Sequence, residues 1–379
     1  MNLSTLSYEK TRGWSVTPFP DSDSEHTLVL VFGAPEYGQA AEPIQALSRA
    51  YPHSRLVGCS TSGEILGGQI HDHTLAVSVL RFDRTTLQTA SAPIASSEYS
   101  EEAGRFIGTQ LSRADLRAVL VLSDGLRVNG SELVRGLNAV LPPSVVVTGG
   151  LAGDGDRFQQ TWVLHAGRPQ SGFVTAVGFY GDAIRVGHGS RGGWDIFGPE
   201  RVVTKAQGNV LYELDGKPAL DLYKEYLGER ASGLPATALL FPLAIRAHAA
   251  DQKSLVRTIL AVNETNRSMT FAGNIPEGSL AQLMRANFDR LIQGASEAAG
   301  AARRSAPGDG PILSVAITCV GRRLVLGEMA EDETEASLEA SPPQTQQIGF
   351  YSYGEISPFA TGACDLHNQT MTITTLSEA

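Results

Sequence analysis

The chain has 379 residues, of which 42% are hydrophobic and 18% are charged, and its formal net charge is −10. This length is sufficient for two hydrophobic cores, and the composition is typical of a folded globular protein and not of a disordered one. The acidic balance disfavours nucleic acids and anionic membranes as partners, because both repel a protein of net negative charge.

The N-terminal region and the cysteines indicate where the protein works. Residues 1–26 read as a polar lead-in, and they lack the apolar core of a secretory signal. No apolar run reaches the roughly 18 residues that a membrane-spanning helix needs. The three widely spaced cysteines, Cys59, Cys319 and Cys364, argue against a disulfide framework. We therefore expect a cytoplasmic protein without a membrane span.

The hydrophobic pattern of the first half alternates between strands and helices. The first strong strand is predicted at 28–32, and a helix is predicted at 42–50. The later elements are strands at 74–82, 117–122, 144–148, 172–180 and 183–187 and helices near 98–113 and 130–140. This alternation is typical of an α/β fold, and the crowding of strands between 157 and 187 indicates hairpins in a mixed sheet.

A second unit is predicted from residue 218. Leu220, Tyr223 and Leu227 recur there at helical spacing. The remaining elements are strands at 238–243, 255–262, 311–319 and 347–353 and helices at 280–300 and 321–338. The predicted organisation is a lead-in at 1–26, a first domain at 27–217 and a second domain at 218–379.

Two tracts echo each other across these domains. Residues 58–65 and 349–356 each contain two glycines five residues apart, followed by Glu-Ile, and each follows an apolar strand. The echo predicts an α/β fold of two related or pseudo-symmetric units, in which mixed β-sheets are flanked by helices.

Two enzymatic interpretations compete with a binding function. Residues 187–192 form a dinucleotide fingerprint, but 193–199 do not begin the helix that this motif needs, so we reject it. Cys59 could be a nucleophile if a base lay in reach. We favour a tight loop at 58–63 whose backbone amides face a ligand or a neighbouring strand.

The segment 187–201 combines His188, Arg191 and Trp194 with several glycines. Glycines permit the close approach of a flat ligand, and an indole supplies an apolar wall. A neutral imidazole is also a common haem ligand. The residues alone favour the alternative, an ordinary loop whose histidine bonds to the backbone.

Several tracts resemble the FIST family of sensory proteins. The tracts 56–65 and 149–154 are similar to the N-terminal FIST domain. Those similar to the C-terminal FIST domain are 209–223, 273–278, 318–323, 349–356 and 367–370. The resemblance covers about 27–376.

The resemblance implies a non-enzymatic sensor of a small ligand. FIST proteins feed histidine kinases, cyclic-di-GMP enzymes (diguanylate cyclases or phosphodiesterases) or chemotaxis proteins, and amino acids are suggested as ligands. The 379 residues contain no tract that resembles such a signalling segment, so we expect a separate partner, and a homo-oligomer is compatible with the sequence. The tract 188–199 is similar to the nitric-oxide-sensing NosP group, which binds haem. That similarity makes His188 the first candidate for the axial ligand and His367 the second.

The ligand-binding residues predicted on this basis come from strand ends in both halves, which we expect to converge on one cavity. They are Gly58, Cys59, Ser60, Thr61, Gly150, Asp154, Arg191, Trp194, Cys319, Arg322, Gly354, Glu355, His367 and Asn368. A haem-free sensor of an amino acid or another small metabolite is one alternative. A cysteine-dependent enzyme that uses Cys59 is an alternative of another class.

Overall fold

The computed structural model describes residues 1–251, 254–305, 310–358 and 362–379. The helices are α1 (Glu42–Ala50), α2 (Ser100–Leu111), α3 (Gly130–Asn138), α4 (Ala219–Leu227), α5 (Phe288–Ser305), α6 (Val320–Leu326) and α7 (Ala330–Glu339). The strands of the first 191 residues are β1 (Asn2–Glu9), β2 (Gly13–Trp14), β3 (Thr27–Gly33), β4 (Arg55–Ser60), β5 (Glu64–Leu66), β6 (Gln69–His71), β7 (Thr74–Arg81), β8 (Thr86–Pro93), β9 (Leu116–Ser123), β10 (Val146–Leu151), β11 (Val163–His165), β12 (Arg168–Gln170), β13 (Phe173–Tyr180) and β14 (Ile184–Arg191). The later strands are β15 (Asp195–Gln207), β16 (Val210–Leu214), β17 (Lys217–Pro218), β18 (Leu243–Arg246), β19 (Leu255–Arg257), β20 (Ile259–Asn263), β21 (Ser268–Phe271), β22 (Leu280–Arg285), β23 (Ile312–Cys319), β24 (Thr345–Ser352), β25 (Gly354–Pro358), β26 (Cys364–His367) and β27 (Met371–Glu378).

Three of the four sheets share one topology. Their strand orders are β12-β11-β4-β3-β7-β1-β2, β26-β25-β10-β9-β13-β8 and β6-β5-β24-β23-β27-β14. In each sheet a parallel pair (β3–β4, β9–β10 or β23–β24) has an antiparallel third strand (β7, β13 or β27) beside its first member. An antiparallel fourth strand (β1, β8 or β14) follows. The chain therefore contains three structural repeats.

Short hairpins tie the repeats together. The hairpin β5–β6 leaves the first sheet and pairs with β24 of the third. Likewise, β11–β12 joins β4 of the first sheet, and β25–β26 joins β10 of the second. Each repeat therefore donates one hairpin to another in a cyclic order, which closes the three sheets into one body.

One glycine occupies the equivalent position in each repeat. Gly58, Gly149 and Gly349 lie in β4, β10 and β24, opposite the central strand of their sheet. A Cβ at any of them would overlap the carbonyl oxygen of the facing residue. Only glycine permits this approach, and this requirement explains much of the echo in the sequence.

The inner faces of the three sheets form a central hydrophobic core. Leu30 and Phe32 of the first sheet, Leu120 of the second and Ile317 and Phe350 of the third belong to it. The rings of Phe32 and Phe350 lie 4.7 Å apart between centroids. Helices cover the outer faces, with α2 and α3 on the second sheet and α5 on the third. The predicted α/β class with mixed sheets and flanking helices is confirmed.

The third repeat is interrupted by an inserted domain at 192–287. Its sheet has the order β19-β18-β22-β15-β16-β21-β20, and α4 packs on that sheet over a separate core. We call 1–191 and 288–379 the three-repeat body. The boundary predicted between 217 and 218 falls inside the inserted domain, at β17.

Several predicted elements differ from the structure. The polar lead-in contains β1, which pairs with β7 over its whole length because Leu3 and Leu6 bury their side chains. The helix predicted at 280–300 begins only at Phe288, since 280–285 is β22. The strand predicted at 238–243 is a 3₁₀ helix over Ala236–Leu240, which follows Pro235. None of the helices within the described ranges is long and apolar enough to cross a membrane.

Candidate functional site

A cavity of about 680 Å³ lies between the three-repeat body and the inserted domain. The body contributes the ends of β9, β10 and β23 and the start of α6, and the inserted domain contributes segments around 233–239 and 258–273. The lining residues are Ser97, Gly125, Leu126, Val128, Asn129, Leu151, Asp156, Phe158, Asn209, Gly233, Leu234, Pro235, Ala236, Leu239, Thr258, Ile259, Leu260, Phe271, Ala272, Gly273, Cys319, Val320, Gly321, Leu324 and Tyr353. This lining is mainly apolar, as in most small-molecule sites.

Cys319 is the last residue of β23 and reaches the cavity where α6 begins. Its side chain is buried. Burial, and secondarily the nearby Glu355 carboxylate, raise the pKa of the thiol, although the amides of Gln369 and Gly321 oppose this shift. A thiol in this state is a poor nucleophile, so Cys319 acts as part of the wall.

Glu355 lies behind Cys319 and is fully buried. Its carboxyl accepts hydrogen bonds from the Ser352 hydroxyl at 2.6 Å and from the Thr370 hydroxyl at 2.9 Å. Burial raises the pKa of Glu355 to about 8, although these donors oppose the shift. The carboxyl is therefore largely protonated and neutral at pH 7.

The first repeat contains the same arrangement. The carboxyl of Glu64 accepts from the Thr61 hydroxyl three residues earlier and from the Thr74 hydroxyl at 2.8 Å. Burial raises the pKa of Glu64 to about 7. In both repeats, a Ser or Thr three residues before the glutamate and a Thr further along the chain bond the glutamate's carboxyl. These bonds hold the segment in which the chain crosses from one sheet to the next.

Asp154 fixes one wall of the cavity. Its carboxylate accepts from the amides of Phe158, Gln159 and Gln160 at 2.8–2.9 Å and from the Tyr353 hydroxyl. Burial opposes ionisation, but these four donors outweigh it and lower the pKa of Asp154. The ring of Phe158 stacks on that of Tyr353 at 4.5 Å. The aromatic pair therefore forms a preorganised surface beside the cavity.

Thr258 is the polar group of the lining that stands out. It is 4% exposed, and its hydroxyl has no hydrogen-bond partner among the described residues. Unpaired buried hydroxyls are costly, and this one has almost no accessible surface, so it lies within the wall and does not face the cavity. Behind Gly321, the side-chain oxygen of Gln369 is likewise buried and unpaired within the described ranges.

Two family models match the chain. The FIST N domain matches residues 27–217, and the FIST C domain matches residues 219–358. The chain belongs to the FIST family. Membership of this family indicates a sensory, ligand-binding protein, and the cavity combines residues from both matched regions.

Curated relatives extend the likeness over most of the chain. Uncharacterized protein Rv0628c of Mycobacterium tuberculosis is 26% identical over 349 residues, which cover 88% of this chain and 87% of that protein. Uncharacterized protein MT0656, from another strain, gives the same values. Uncharacterized protein MJ1623 of Methanocaldococcus jannaschii is 22% identical over 371 residues, covering 86% of this chain and 69% of that protein.

The predicted residues of the first FIST tract lie away from the cavity. Gly58 packs against the backbone of β3, and Cys59 is fully buried in the central core. Ser60 accepts from the amide of Trp162 at 3.0 Å, and Thr61 holds Glu64. These residues support the fold: the tract packs against a neighbouring strand, which is one of the two roles that we expected for it, and these four residues do not line the cavity.

The residues of the last FIST tracts are brought together beside the cavity. In the register of neighbouring strands, Gly150 of β10 pairs with Glu355 of β25, which in turn pairs with His367 of β26. Gly354 begins β25, and Asn368 is fully buried next to His367. Of all the predicted residues, Cys319 alone lines the cavity, and this group forms the layer behind it.

Arg322, Trp194 and Arg191 have structural roles. Arg322 is fully buried, donates to Glu333 at 2.7 Å and also bonds backbone carbonyls. The Trp194 indole donates to the carbonyl of Gln369 at 2.9 Å and packs in a core. Arg191 lies at the edge of the third sheet, and its guanidinium donates to the carbonyl of Ser190.

The residues around His188 do not fit a haem. His188 lies within β14, where its backbone amide donates to the Ser305 hydroxyl at 3.0 Å. A Cβ at Gly187 or Gly189 would overlap backbone carbonyls of α5. These glycines therefore serve the close packing of a helix on a strand, and the space that we assigned to a flat ligand is filled.

His367 also offers no open coordination site. Its ring is 2% exposed, and Nε2 donates to the carbonyl of Ser357 at 2.9 Å. A haem could reach this ring only by displacing the strands that cover it.

Sequence reasoning missed Phe158, Thr258 and most residues of the inserted domain that line the cavity. Phe158 adopts a φ of +52° and is half exposed, and its role depends on Asp154, which the sequence did single out. The tract 273–278 was noted as part of the resemblance, but its neighbour Thr258 carries no motif. Only the fold brings them to one cavity.

Proposed function

We propose that this protein senses a small molecule bound in the cavity between the three-repeat body and the inserted domain, and that it does not transform this molecule. The observation that supports this proposal most strongly is that both the three-repeat body and the inserted domain contribute residues to the cavity wall. Its volume of about 680 Å³ suits a small metabolite. The sensory character of the FIST family supports the same conclusion.

A cysteine-dependent enzyme has less support. Cys59 has no exposed surface, and burial raises the pKa of its thiol well above the ordinary value. Cys319 reaches the cavity, but its thiol pKa is raised as well. A nucleophilic cysteine needs an accessible thiolate, which both positions disfavour.

The signal would be a change in the position of the inserted domain relative to the three-repeat body. The inserted domain contacts the body through Asn274, which bonds Asn129 at 2.9 Å and Glu132 at 2.6 Å. A ligand that bridges the bodies favours the arrangement that binds it better, and a partner must distinguish the arrangements. The partner would be a separate cytoplasmic histidine kinase or cyclic-di-GMP enzyme.

Thermal unfolding of the purified protein with a library of amino acids and other metabolites tests the proposal. A ligand that binds only the folded state raises the melting temperature, by an amount equivalent to about 2.7 kcal/mol at 100 times its Kd. Ala236→Trp should abolish the shift, because Ala236 is exposed on the cavity wall and an indole would fill the space. Ala139→Trp, on an exposed residue outside the cavity, is the matched control.

Haem binding and nitric-oxide sensing stay a prediction from the resemblance, and the surroundings of His188 do not favour them. Absorption spectra of the protein purified with haem supplied test this prediction. A Soret band that shifts with nitric oxide and disappears in His188→Ala would support it, whereas the haem-free sensor proposed here gives no such band.

A further inference from the structure

A second hollow, of about 260 Å³, lies between the first and second sheets. It is lined by the start of β4, by β8 and β13, and by the tip of the β11–β12 hairpin. None of the described residues lines both this hollow and the cavity of the proposed function. A ligand of the second hollow would therefore be distinct from the molecule that the cavity binds.

Arg55 lies on the inner face of the first sheet and lines the second hollow. It precedes Val57 by two residues and Cys59 by four along β4, and both of these residues belong to the central hydrophobic core. Residues two apart in a strand point to the same face. A half-buried arginine thus occupies a position that continues an apolar face, where charged side chains are rare.

The guanidinium of Arg55 has no partner within the described ranges. It makes no hydrogen bond or ion pair with those residues, and its Nε is enclosed by the wall. The carboxylate of Asp23, which accepts from the lining residue Ser54 at 2.7 Å, pairs with His53 instead. Nη1 and Nη2 retain accessible surface, in contrast to Nε. Because a half-buried charge without a partner is costly, these N–H groups are suited to an anion in the hollow.

The second sheet presents hydroxyl groups to the same hollow. Thr89 and Ser91 lie on the same face of β8 as Leu87, a residue of the central core, and Ser91 pairs with Thr175 of β13. The hydroxyl of Thr175 donates to the carbonyl of Leu164 at 3.0 Å. Those of Thr89 and Ser91 make no hydrogen bond with any residue that the structure describes. The inner face of this sheet therefore changes from apolar to hydroxyl-bearing at the hollow.

We infer that the second hollow is a further binding site and that it takes inorganic phosphate or the phosphate group of a small ester. The guanidinium of Arg55 supplies a positive charge and N–H donors whose spacing matches phosphate oxygens. The hydroxyls of Thr89 and Ser91 donate from the opposite sheet, so the donors suit a tetrahedral anion better than a planar carboxylate. The described lining contains no Asp or Glu that would repel a dianion.

Titration calorimetry of the full chain tests the inference with inorganic phosphate, glycerol 1-phosphate, glycerol and acetate, at an ionic strength held constant with chloride. We expect both phosphate compounds to bind at least tenfold more tightly than acetate, and glycerol not to bind. Tighter binding of glycerol 1-phosphate than of inorganic phosphate would identify an ester as the ligand, and the reverse order would identify the free anion. Binding of neither phosphate compound would overturn the inference.

Variants assign the contacts. Arg55→Met should weaken phosphate binding at least tenfold and Thr89→Val about tenfold, because each removes a hydrogen bond to a charged group. Arg55→Met is expected to fold, since methionine continues the apolar inner face. Arg81→Met is the matched control, because it removes an exposed arginine outside the hollow. Affinity that is unchanged in Arg55→Met, or equally reduced in Arg81→Met, would show that phosphate does not bind at this site.

The outcomes separate the inference from the proposed function. Ala236→Trp, which fills the cavity, should leave phosphate binding intact. A protein that binds phosphate through Arg55 but binds no metabolite in the cavity upholds the inference and overturns the sensor proposal. Metabolite binding in the cavity without phosphate binding does the opposite.

Discussion

Two glutamates of this protein have buried carboxyl groups whose pKa values are raised by burial. Glu64 and Glu355 occupy equivalent places in the first and third repeats, and each accepts hydroxyl hydrogen bonds. The sequence echo located both glutamates. It could not indicate their environment, because Thr74 and Thr370 lie ten and fifteen residues further along the chain.

The stability of the protein should fall as the pH rises from about 4.5 to 8. With pKa values of about 7 and 8 in the folded state, Glu64 and Glu355 keep a proton that the unfolded chain has already lost. The folded state then binds more protons, so the free energy of unfolding decreases with pH, by at most about 1.4 kcal/mol per pH unit for each group. Urea unfolding across this range measures the slope.

Glu64→Gln and Glu355→Gln should each reduce that slope, because glutamine does not titrate. Glu98→Gln, at an exposed position, is the control and should leave the slope unchanged. A slope that is the same in wild type and both buried variants would show that these carboxyls ionise normally.

The Arg322–Glu333 pair is a second feature at this scale. Both side chains are fully buried and bond at 2.7 Å, and Glu333 also accepts from the Tyr351 hydroxyl at 2.8 Å. Arg322→Met leaves this carboxylate buried without its cation, so we expect a loss of about 3–5 kcal/mol in the free energy of unfolding. Arg117→Met removes one exposed pair, with Asp182, and should cost no more than about 1 kcal/mol. Similar losses in both variants would contradict the account.

At the scale of elements, glycines determine how closely neighbouring strands and helices can approach one another. The sequence predicted most strands and helices of the body, because continuous apolar runs such as 28–32 carry a strong local signal. It misread 187–192, since a glycine that admits a ligand and one that admits α5 look alike in sequence. It missed β1 because that strand, which lies next to the edge of its sheet, is mostly polar.

Alanine at the equivalent glycines should disrupt the sheets. In Gly58→Ala, Gly149→Ala and Gly349→Ala the new methyl group would overlap a carbonyl of the adjacent strand, which cannot move away without breaking the sheet. We expect each variant to melt at a clearly lower temperature or to be insoluble. Gly310→Ala, where no atom of the described residues lies within 4 Å of the added carbon, should melt like the wild type. A normal melting temperature in all three variants would disprove the close packing.

At the scale of the whole molecule, the cavity depends on topology that local patterns do not encode. The inserted domain at 192–287 interrupts the third repeat, and hairpins cross between sheets. Residues as distant as Phe158, Thr258 and Cys319 therefore meet at one wall. The sequence predicted a shared cavity and one of its lining residues, Cys319, but the rest follows only from the closed arrangement of repeats.

The most direct test of the central claim is ligand-observed NMR by saturation transfer on the wild type, Ala236→Trp and Ala139→Trp with the same set of small molecules. We expect at least one compound to receive saturation from the wild type and from Ala139→Trp, and Ala236→Trp to remove the effect. Equal saturation from all three proteins, or from none, would contradict the account, because the cavity between the two bodies would then not be the binding site.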